Sequence, residues 1–170
     1  APKTRNVDQL MIAFASMACN GLILAVGEST LFFCSSILRG MDAMTRLVVN
    51  LPEDSPKSDA ENELVMDLRV AVHRQTPVDF LKDISQHSLN LVILCNEEIS
   101  PMLVDQLSKM LSAGGCVLVP KTENIKTEEQ QVEFSDFHQV DVGDCLLFVN
   151  KPFQQENVRR GGRRARLAEV

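Results

Sequence analysis

The stretch that decides the fold is FHQVDVGDCLLFVNK, residues 137–151, near the end of the apolar part of the chain. Two segments with β-branched and aromatic side chains flank Val142-Gly143-Asp144, which has the composition of a hairpin turn. Five apolar runs come before this stretch and alternate with helix-like segments. The sequence therefore predicts a mostly parallel α/β sheet that closes with a C-terminal antiparallel hairpin.

The five earlier strands are predicted from short apolar runs of the kind that fill buried parallel sheets. These runs cover residues 21–26, 46–50, 69–73, 89–94 and 116–119. Helices are predicted at residues 7–19, 31–38 and 59–68, then from Thr76-Pro77 onward, and from Ser100-Pro101 to Leu111. Gly114-Gly115 is expected to end the last helix.

Polar residues and a glycine mark the expected ends of the other helices. Ser29 or Thr30 is predicted to cap the second helix, and Gly40 to terminate it. Thr76 and Ser100 each precede a proline, which is the pattern of an N-cap followed by proline at the first helical position.

Length and charge predict one domain with a short extension. A chain of 170 residues with 45% hydrophobic content suits a single core. One α/β domain is expected at residues 1–153, followed by a basic tail at 154–170. Five Arg and one Glu in the last twelve residues leave the rest with a net charge of −10, against −6 for the whole chain. Such an acidic body argues against nucleic acid as a partner.

Cysteine usage predicts the compartment of the protein, and the hydropathy pattern predicts whether it spans a membrane. The five cysteines show no C-x-x-C spacing and mostly lie in apolar runs, which predicts buried free thiols in a reducing, cytoplasmic compartment. Residues 10–26 carry no charge, but Asn20-Gly21 divides them into pieces too short to span a membrane. A helix followed by a buried strand is expected there, and no membrane association.

Three motifs, in order, give the chain a family resemblance. They are Gly27-Glu28-Ser29-Thr30-Leu31 after the first strand, a helix with Gly-Gly and a strand at 103–119, and Val142-Gly143-Asp144-Cys145-Leu146-Leu147. Over residues 7–151 the chain resembles the class I methyltransferases that use S-adenosylmethionine, and within them the small catechol-type O-methyltransferases. The resemblance implies a three-layer Rossmann-like sheet, S-adenosylmethionine as cofactor and a small-molecule methyl acceptor.

The resemblance also implies where the cofactor binds. The positions that match the family's cofactor loops are Gly27, Glu28, Ser29, Asn50, Glu53, Thr76 and Cys95. Several of them depart from the family pattern, because one glycine stands where the family has two or three and Thr76 replaces an acid near the adenine. Glu53 is either an acceptor for the ribose hydroxyls or a solvated loop residue, and an N-cap role by itself accounts for Thr76.

The metal positions of the family are not kept. Catechol-type enzymes hold Mg²⁺ with acids after the fourth strand and an Asp-Asn pair after the fifth, since magnesium prefers oxygen ligands. The matching positions are Cys95, Asn96 and Glu97, then Pro120-Lys121. The resemblance therefore predicts no catalytic metal. His73, His87 and His138 have no metal-ligand spacing either.

Lys121 or Glu97 is the candidate acceptor for the proton released in a methyl transfer. A solvated lysine is the alternative interpretation of Lys121. Cys95 is either a nucleophile or a buried thiol that closes its strand.

Two functions from different classes fit this sequence. The first is a divergent, metal-independent O-methyltransferase acting on a small acceptor. The second is a methyltransferase-like pseudoenzyme that serves as a scaffold or interaction module. A domain binding another nucleotide fits less well, because Gly27 alone makes a poor phosphate cradle. The short chain leaves the cleft without a lid, so a homo-oligomer, with dimerisation supplying the cover, or a protein partner is expected.

Overall fold

Seven strands form one sheet in the computed structural model, which describes residues 6–95, 100–121 and 137–150. The strands are Leu22–Val26 (β1), Arg46–Leu51 (β2), Val70–Arg74 (β3), Leu89–Leu94 (β4), Leu111–Pro120 (β5), Phe137–Asp141 (β6) and Cys145–Asn150 (β7). The helices are Asn6–Met17 (α1), Cys34–Gly40 (α2), Asp59–Leu64 (α3), Pro77–Leu81 (α4) and Pro101–Met110 (α5). A 3-10 turn, Glu28–Phe32, lies between β1 and α2.

The order across the sheet is β3-β2-β1-β4-β5-β7-β6. Strands β1 to β5 are parallel, whereas β7 is antiparallel to both of its neighbours. The turn between β6 and β7 holds Gly143 at a φ of 93°, a conformation that favours glycine. The predicted mostly parallel sheet with a C-terminal antiparallel hairpin is confirmed.

Alternate side chains of the central strands face two separate cores. Leu24 and Val92 are buried in the core that includes α4 and α5. Ile23 and Ile93 are buried in the core that includes α1 and α2. The sheet is thus the middle of three layers, and strands apolar on both faces are what that position requires.

The start of the second helix differs from the prediction. Neither Ser29 nor Thr30 caps α2, because the 3-10 turn comes first and Phe33 occupies the N-cap position without a side-chain hydrogen bond. The Thr30 hydroxyl instead donates to the carbonyl oxygen of Gly27 at 2.6 Å. Thr30 therefore stabilises the turn that follows β1.

Gly40 is the last residue of α2, but it does not form a left-handed cap. The next residue, Met41, is extended. A Cβ on Gly40 would lie 2.2 Å from the carbonyl oxygen of Ile12 and 3.0 Å from the Cβ of Ala15. Glycine is needed here because α1 and α2 touch through their backbones.

Two other boundaries correct the sequence prediction. Helix α5 ends at Met110, and Gly114-Gly115 lies inside β5, where the pairing with β4 slips between Leu89 and Leu91. The two glycines form a bulge, with Gly114 at a φ of 78°. Helix α3 also ends earlier than predicted, at Leu64, because the chain must turn before it enters β3.

The uncharged run near the N-terminus folds as predicted. Asn20, at a φ of 57°, lies between α1 and β1 and divides the run. No helix in the described part of the chain is long and apolar enough to cross a membrane.

Candidate functional site

A cleft lies at the carboxyl edge of the sheet, where β1 to β4 end. It consists of two adjoining pockets with volumes of about 480 and 370 Å³ that share Gly27, Pro52, Thr76 and Pro77. The first pocket is also lined by Glu28, Ser29, Val78, Cys95, Ser100 and Leu103. The second is also lined by Asn50, Glu53 and Asp54. Open parallel sheets bind ligands outside this edge.

All seven residues predicted to contact a cofactor line this cleft. They lie at the ends of β1 to β4 or in the segments that follow, and the parallel strands bring them together because these strands end at the same edge. Sequence reasoning missed the rest of the lining, including Pro52, Asp54 and Ser100. Ser100 follows β4 as Thr76 follows β3, so the repeated cap-and-proline pattern was a signal that could have identified it.

Gly27 forms the backbone turn that follows β1 at the cleft. Its φ of 105° and ψ of 153° place it in a region that side chains with a Cβ rarely adopt. Its amide donates to the carbonyl oxygen of Asn50 at 2.9 Å, and its carbonyl oxygen accepts the amide of Thr30 at 3.1 Å. One glycine, hydrogen-bonded through both its amide and its carbonyl oxygen, thus forms the turn after β1.

Asn50 joins three strand ends. It is only 1% exposed, and its side-chain amide donates to the carbonyl oxygen of Gln75 at 3.1 Å. Its backbone carbonyl holds Gly27, as described above. The buried side-chain amide of Asn50 therefore lines the second pocket, one residue before β2 ends at Leu51.

Two capped helices begin at the cleft. Thr76 accepts the amide of Asp79 at 3.3 Å and opens α4. Ser100 accepts the amide of Leu103 at 3.1 Å and opens α5. Both predicted N-caps are confirmed. Their capping role explains why these two polar side chains lie in the lining of the cleft.

Cys95 closes β4, and its backbone amide donates to the carbonyl oxygen of Val26 at 2.9 Å. Burial, with a smaller contribution from the nearby Cys145 and Cys34, raises the pKa of the Cys95 thiol to about 12. A thiol with that pKa stays protonated at neutral pH, which disfavours the nucleophile interpretation.

All five cysteines are free thiols, in agreement with the absence of a disulfide pattern. Burial is confirmed for Cys34 and Cys145, Cys95 and Cys116 are only half-buried, and the expectation is wrong for Cys19, which is exposed. Its thiol donates to a carboxylate oxygen of Asp42 at 3.0 Å, and this contact raises its pKa.

Of the two predicted proton acceptors, Lys121 and Glu97, the structure describes only Lys121. Lys121 follows β5 but lines neither pocket, and its Nζ contacts both carboxylate oxygens of Asp141 at 2.8 Å. This pairing lowers the pKa of Asp141. Glu97, with its neighbours Asn96 and Glu98, lies outside the described residues.

Acidic side chains dominate the charge of the cleft. Glu28, Glu53 and Asp54 are among the lining residues, and within residues 6–95, 100–121 and 137–150 no Lys or Arg lines either pocket. The described residues contain no group of three His, Cys, Asp or Glu side chains arranged to hold a metal ion. Metal independence stays a prediction that rests on the residue types after β4 and β5.

The histidines lie away from this chemistry. His73 packs against Phe80 with ring centroids 5.3 Å apart. His87 lies at a φ of 60°, with its Nδ1 3.2 Å from the carbonyl oxygen of Leu111. His138 is exposed on β6.

Solved structures with this fold include several methyltransferases. A methyltransferase from Geobacter sulfurreducens is 15% identical, with a TM-score of 0.64 over 87% of this chain and 79% of that one. A SAM-dependent methyltransferase from Aquifex aeolicus is 11% identical, with a TM-score of 0.65 over 84% and 87%. An O-methyltransferase family protein from Burkholderia thailandensis is 10% identical, with a TM-score of 0.59 over 84% and 55%.

No protein-family model and no curated protein matches the chain. Identities of 10–15% make the structural likeness a statement about the fold alone. Strand order, the antiparallel β7 and these neighbours agree on that fold. The chain has the α/β fold of the class I methyltransferases.

Proposed function

We propose that the chain binds S-adenosylmethionine in the cleft and transfers its methyl group to a small acceptor, as a divergent O-methyltransferase without a metal ion. The observation that carries the proposal is the continuous cleft at the carboxyl edge. Its lining includes the seven residues that the family resemblance assigns to the cofactor. Structural neighbours that include a SAM-dependent methyltransferase support the choice of ligand.

The charge of the cleft fits this cofactor better than a nucleotide phosphate. S-adenosylmethionine has a sulfonium and an ammonium group against one carboxylate, so its net charge is positive. Glu28, Glu53 and Asp54 attract such a ligand and repel phosphates. The proposal therefore prefers S-adenosylmethionine to a dinucleotide or a nucleoside triphosphate.

Particular residues are proposed to hold the cofactor. The missing Cβ of Gly27 permits close approach of the backbone. Asn50 and Glu53 supply amide and carboxylate oxygens that can accept hydrogen bonds from ribose hydroxyls. The remaining proposed contacts to the cofactor are made by Glu28, Ser29, Thr76 and Cys95. Apolar surface is added by Val78 and Leu103.

When bound, S-adenosylmethionine supplies an electrophilic methyl group. The chain itself contributes position, by fixing the methyl donor at a rigid strand edge. Lys121 or Glu97 is proposed to take the acceptor's proton. Lys121 can do so only as a neutral amine that has left Asp141, because an ammonium group cannot accept a proton.

Substitution at Gly27 tests the proposal. Gly27→Val should abolish measurable binding of S-adenosylmethionine in equilibrium dialysis, because a β-branched residue cannot adopt the loop conformation. Gly114→Val is the matched control: it forces the same kind of residue into a positive φ, but in the β5 bulge, away from the cleft. Retained binding in Gly27→Val, or equal loss in both variants, would contradict the proposal.

A non-catalytic scaffold is the second candidate function. Glu28 and Cys95 are the titratable groups among the described lining of the first pocket, and Cys95 stays protonated. Lys121 is engaged with Asp141. A scaffold should bind no S-adenosylmethionine yet form a stable assembly with itself or a partner protein.

Assembly and domain organisation are part of the same proposal. The chain is expected to be a cytoplasmic homo-oligomer, with residues 1–153 as the folded domain. Sedimentation of the full chain and of a chain lacking residues 154–170 measures both points. A monomer at working concentrations would remove the dimer, and unchanged assembly without the tail would exclude a role for its arginines.

A further inference from the structure

We propose that Arg74 is a positioning residue that holds the second pocket in the shape its ligand needs. The inference rests on the proposed function, because the ligand concerned is S-adenosylmethionine. Arg74 is the last residue of β3, and its side chain reaches back to the loop between β2 and α3. That loop includes Pro52, Glu53 and Asp54, which line the second pocket.

The guanidinium of Arg74 makes contacts in two directions. Toward the loop, Nε donates to the carbonyl oxygen of Ser55 at 2.9 Å and Nη2 to that of Pro56 at 3.3 Å. Toward α3, Nη1 donates to Oε2 of Glu61 at 2.8 Å, and Nη2 donates to Oε1. One side chain thus ties β3, the loop and α3 together.

Apart from Ser58, which caps α3, the loop has little other support among the described residues. Glu53 and Asp54 are exposed, whereas Ser55 is buried, and the Ser55 amide donates to the carbonyl oxygen of Pro52 at 3.1 Å. Ser55 is therefore the anchor of the two acids that line the pocket. The Arg74 hydrogen bond is made at that anchor.

Charge pairing stabilises the contacts that Arg74 makes with Ser55, Pro56 and Glu61, which we call the Arg74 clamp. Glu61 is only 4% exposed, and its hydrogen bonds to Arg74 keep its pKa below the usual value. Removal of either partner would leave a poorly solvated charge, so the pair is held in place. The charge of Arg74 also interacts with Glu28 in the first pocket.

Arginine is required because of its shape as well as its charge. A planar guanidinium presents donors in several fixed directions, so it can hold a carboxylate and two carbonyls at once. A lysine at this position would keep the charge but could not reproduce this set of contacts. Arg74→Lys therefore separates the clamp from electrostatics.

The chain offers a matched control at the other end of the same strand. Arg69, one residue before β3, pairs with Asp67 and donates to the carbonyl oxygen of Met41 at 3.1 Å. The side chains of Arg69 and Arg74 are both 23% exposed. Arg69 lies at the amino end of β3, away from the cleft.

The test compares Arg74→Lys and Arg69→Lys by hydrogen exchange without ligand and by titration with S-adenosylmethionine. Arg74→Lys should speed exchange at the Ser55 amide, which donates to the carbonyl oxygen of Pro52, and weaken binding about tenfold, the scale of a lost charge-assisted hydrogen bond. Arg69→Lys should change neither, although both variants replace a guanidinium that holds a carboxylate through two hydrogen bonds. Equal effects in both variants, or unchanged exchange in Arg74→Lys, would overturn the inference.

A second variant keeps the test decisive if Arg74→Lys fails to fold. Glu61→Gln retains the side-chain shape and removes the charge that holds Arg74, so it should also speed exchange at the Ser55 amide. Normal exchange at Ser55 would count against the clamp. A wild-type chain that binds no S-adenosylmethionine would overturn the proposed function. The exchange comparison would then decide by itself whether Arg74 holds the loop.

Discussion

Asp67 shows how one charged residue fixes a boundary that the sequence pattern placed wrongly, because residues 59–68 were predicted as helix and α3 ends at Leu64. Its carboxylate accepts the backbone amide of Arg69 at 2.9 Å and also pairs with the Arg69 guanidinium. These contacts turn the chain from α3 into β3. Arg69 was assigned to the strand from its position beside apolar residues, and nothing in the sequence indicated that it pairs two residues back.

We expect the Asp67 contribution to stability to depend on acid pH. The hydrogen bonds from Arg69 lower the pKa of Asp67 to about 2 from an ordinary value of 3.8. A carboxyl with a lowered pKa in the folded state stabilises it above the ordinary value and loses that effect as pH falls through the folded value. The stability difference between wild type and Asp67→Asn should therefore be full above pH 4 and shrink toward pH 2.

Urea denaturation at several pH values measures this difference. Asp105→Asn is a suitable control, because the Asp105–Lys109 pair is mostly exposed and should contribute little at any pH. A difference for Asp67→Asn that stays constant from pH 7 to pH 2 would contradict the assignment.

Arg74 illustrates the limit of sequence reasoning at single residues. Its partner Glu61 lies thirteen residues earlier, on α3, and its other contacts are backbone carbonyls. No fixed spacing in the sequence indicates such a contact. The cleft lining was easier to predict, since its residues lie at or just after strand ends and parallel strands end at one edge.

At the scale of elements, strands were more predictable than helix ends. Strand β4 has the predicted bounds, and β1 and β2 differ by one residue, because continuous apolar runs fit only a strand buried on both faces. Glycines were harder, since the same residue suits a helix end, a bulge and a helix contact. Gly114-Gly115 proved to be the bulge and Gly40 the contact.

Replacement of Gly40 tests the packing of α1 against α2. A Cβ at this position would lie 2.2 Å from the carbonyl oxygen of Ile12, so the two helices must separate. We expect Gly40→Ala to lower the free energy of unfolding by about 2 kcal/mol, the usual cost of overpacking, despite the better helix propensity of alanine. Chemical denaturation gives the value.

Ser35→Ala on the exposed face of the same helix is the control, and it should stay within about 0.5 kcal/mol of wild type. A neutral or stabilising Gly40→Ala would mean that the helices do not approach as closely as described.

At the scale of the whole molecule, net charge shapes ligand choice. The chain has a net charge of −6, and three acids line the cleft. S-adenosylmethionine is positive, whereas its demethylated product S-adenosylhomocysteine has no net charge. If the cleft binds S-adenosylmethionine as proposed, the field of the protein should favour it over S-adenosylhomocysteine before any specific contact is made.

This field predicts a difference in salt dependence. Raising NaCl from 50 to 500 mM should weaken S-adenosylmethionine binding several-fold and leave S-adenosylhomocysteine binding nearly unchanged, because salt screens exposed charges. Titrations at both salt concentrations measure it. Glu28→Gln should reduce the salt effect, and equal salt dependence of the two ligands would contradict the electrostatic account.

The central claim is that the cleft binds S-adenosylmethionine without help from a metal ion. Calorimetric titration of the folded wild-type chain with S-adenosylmethionine, with and without Mg²⁺, tests it most directly. We predict saturable, micromolar binding that Mg²⁺ does not change. No heat of binding from a folded sample, or binding that appears only with Mg²⁺, would contradict the claim.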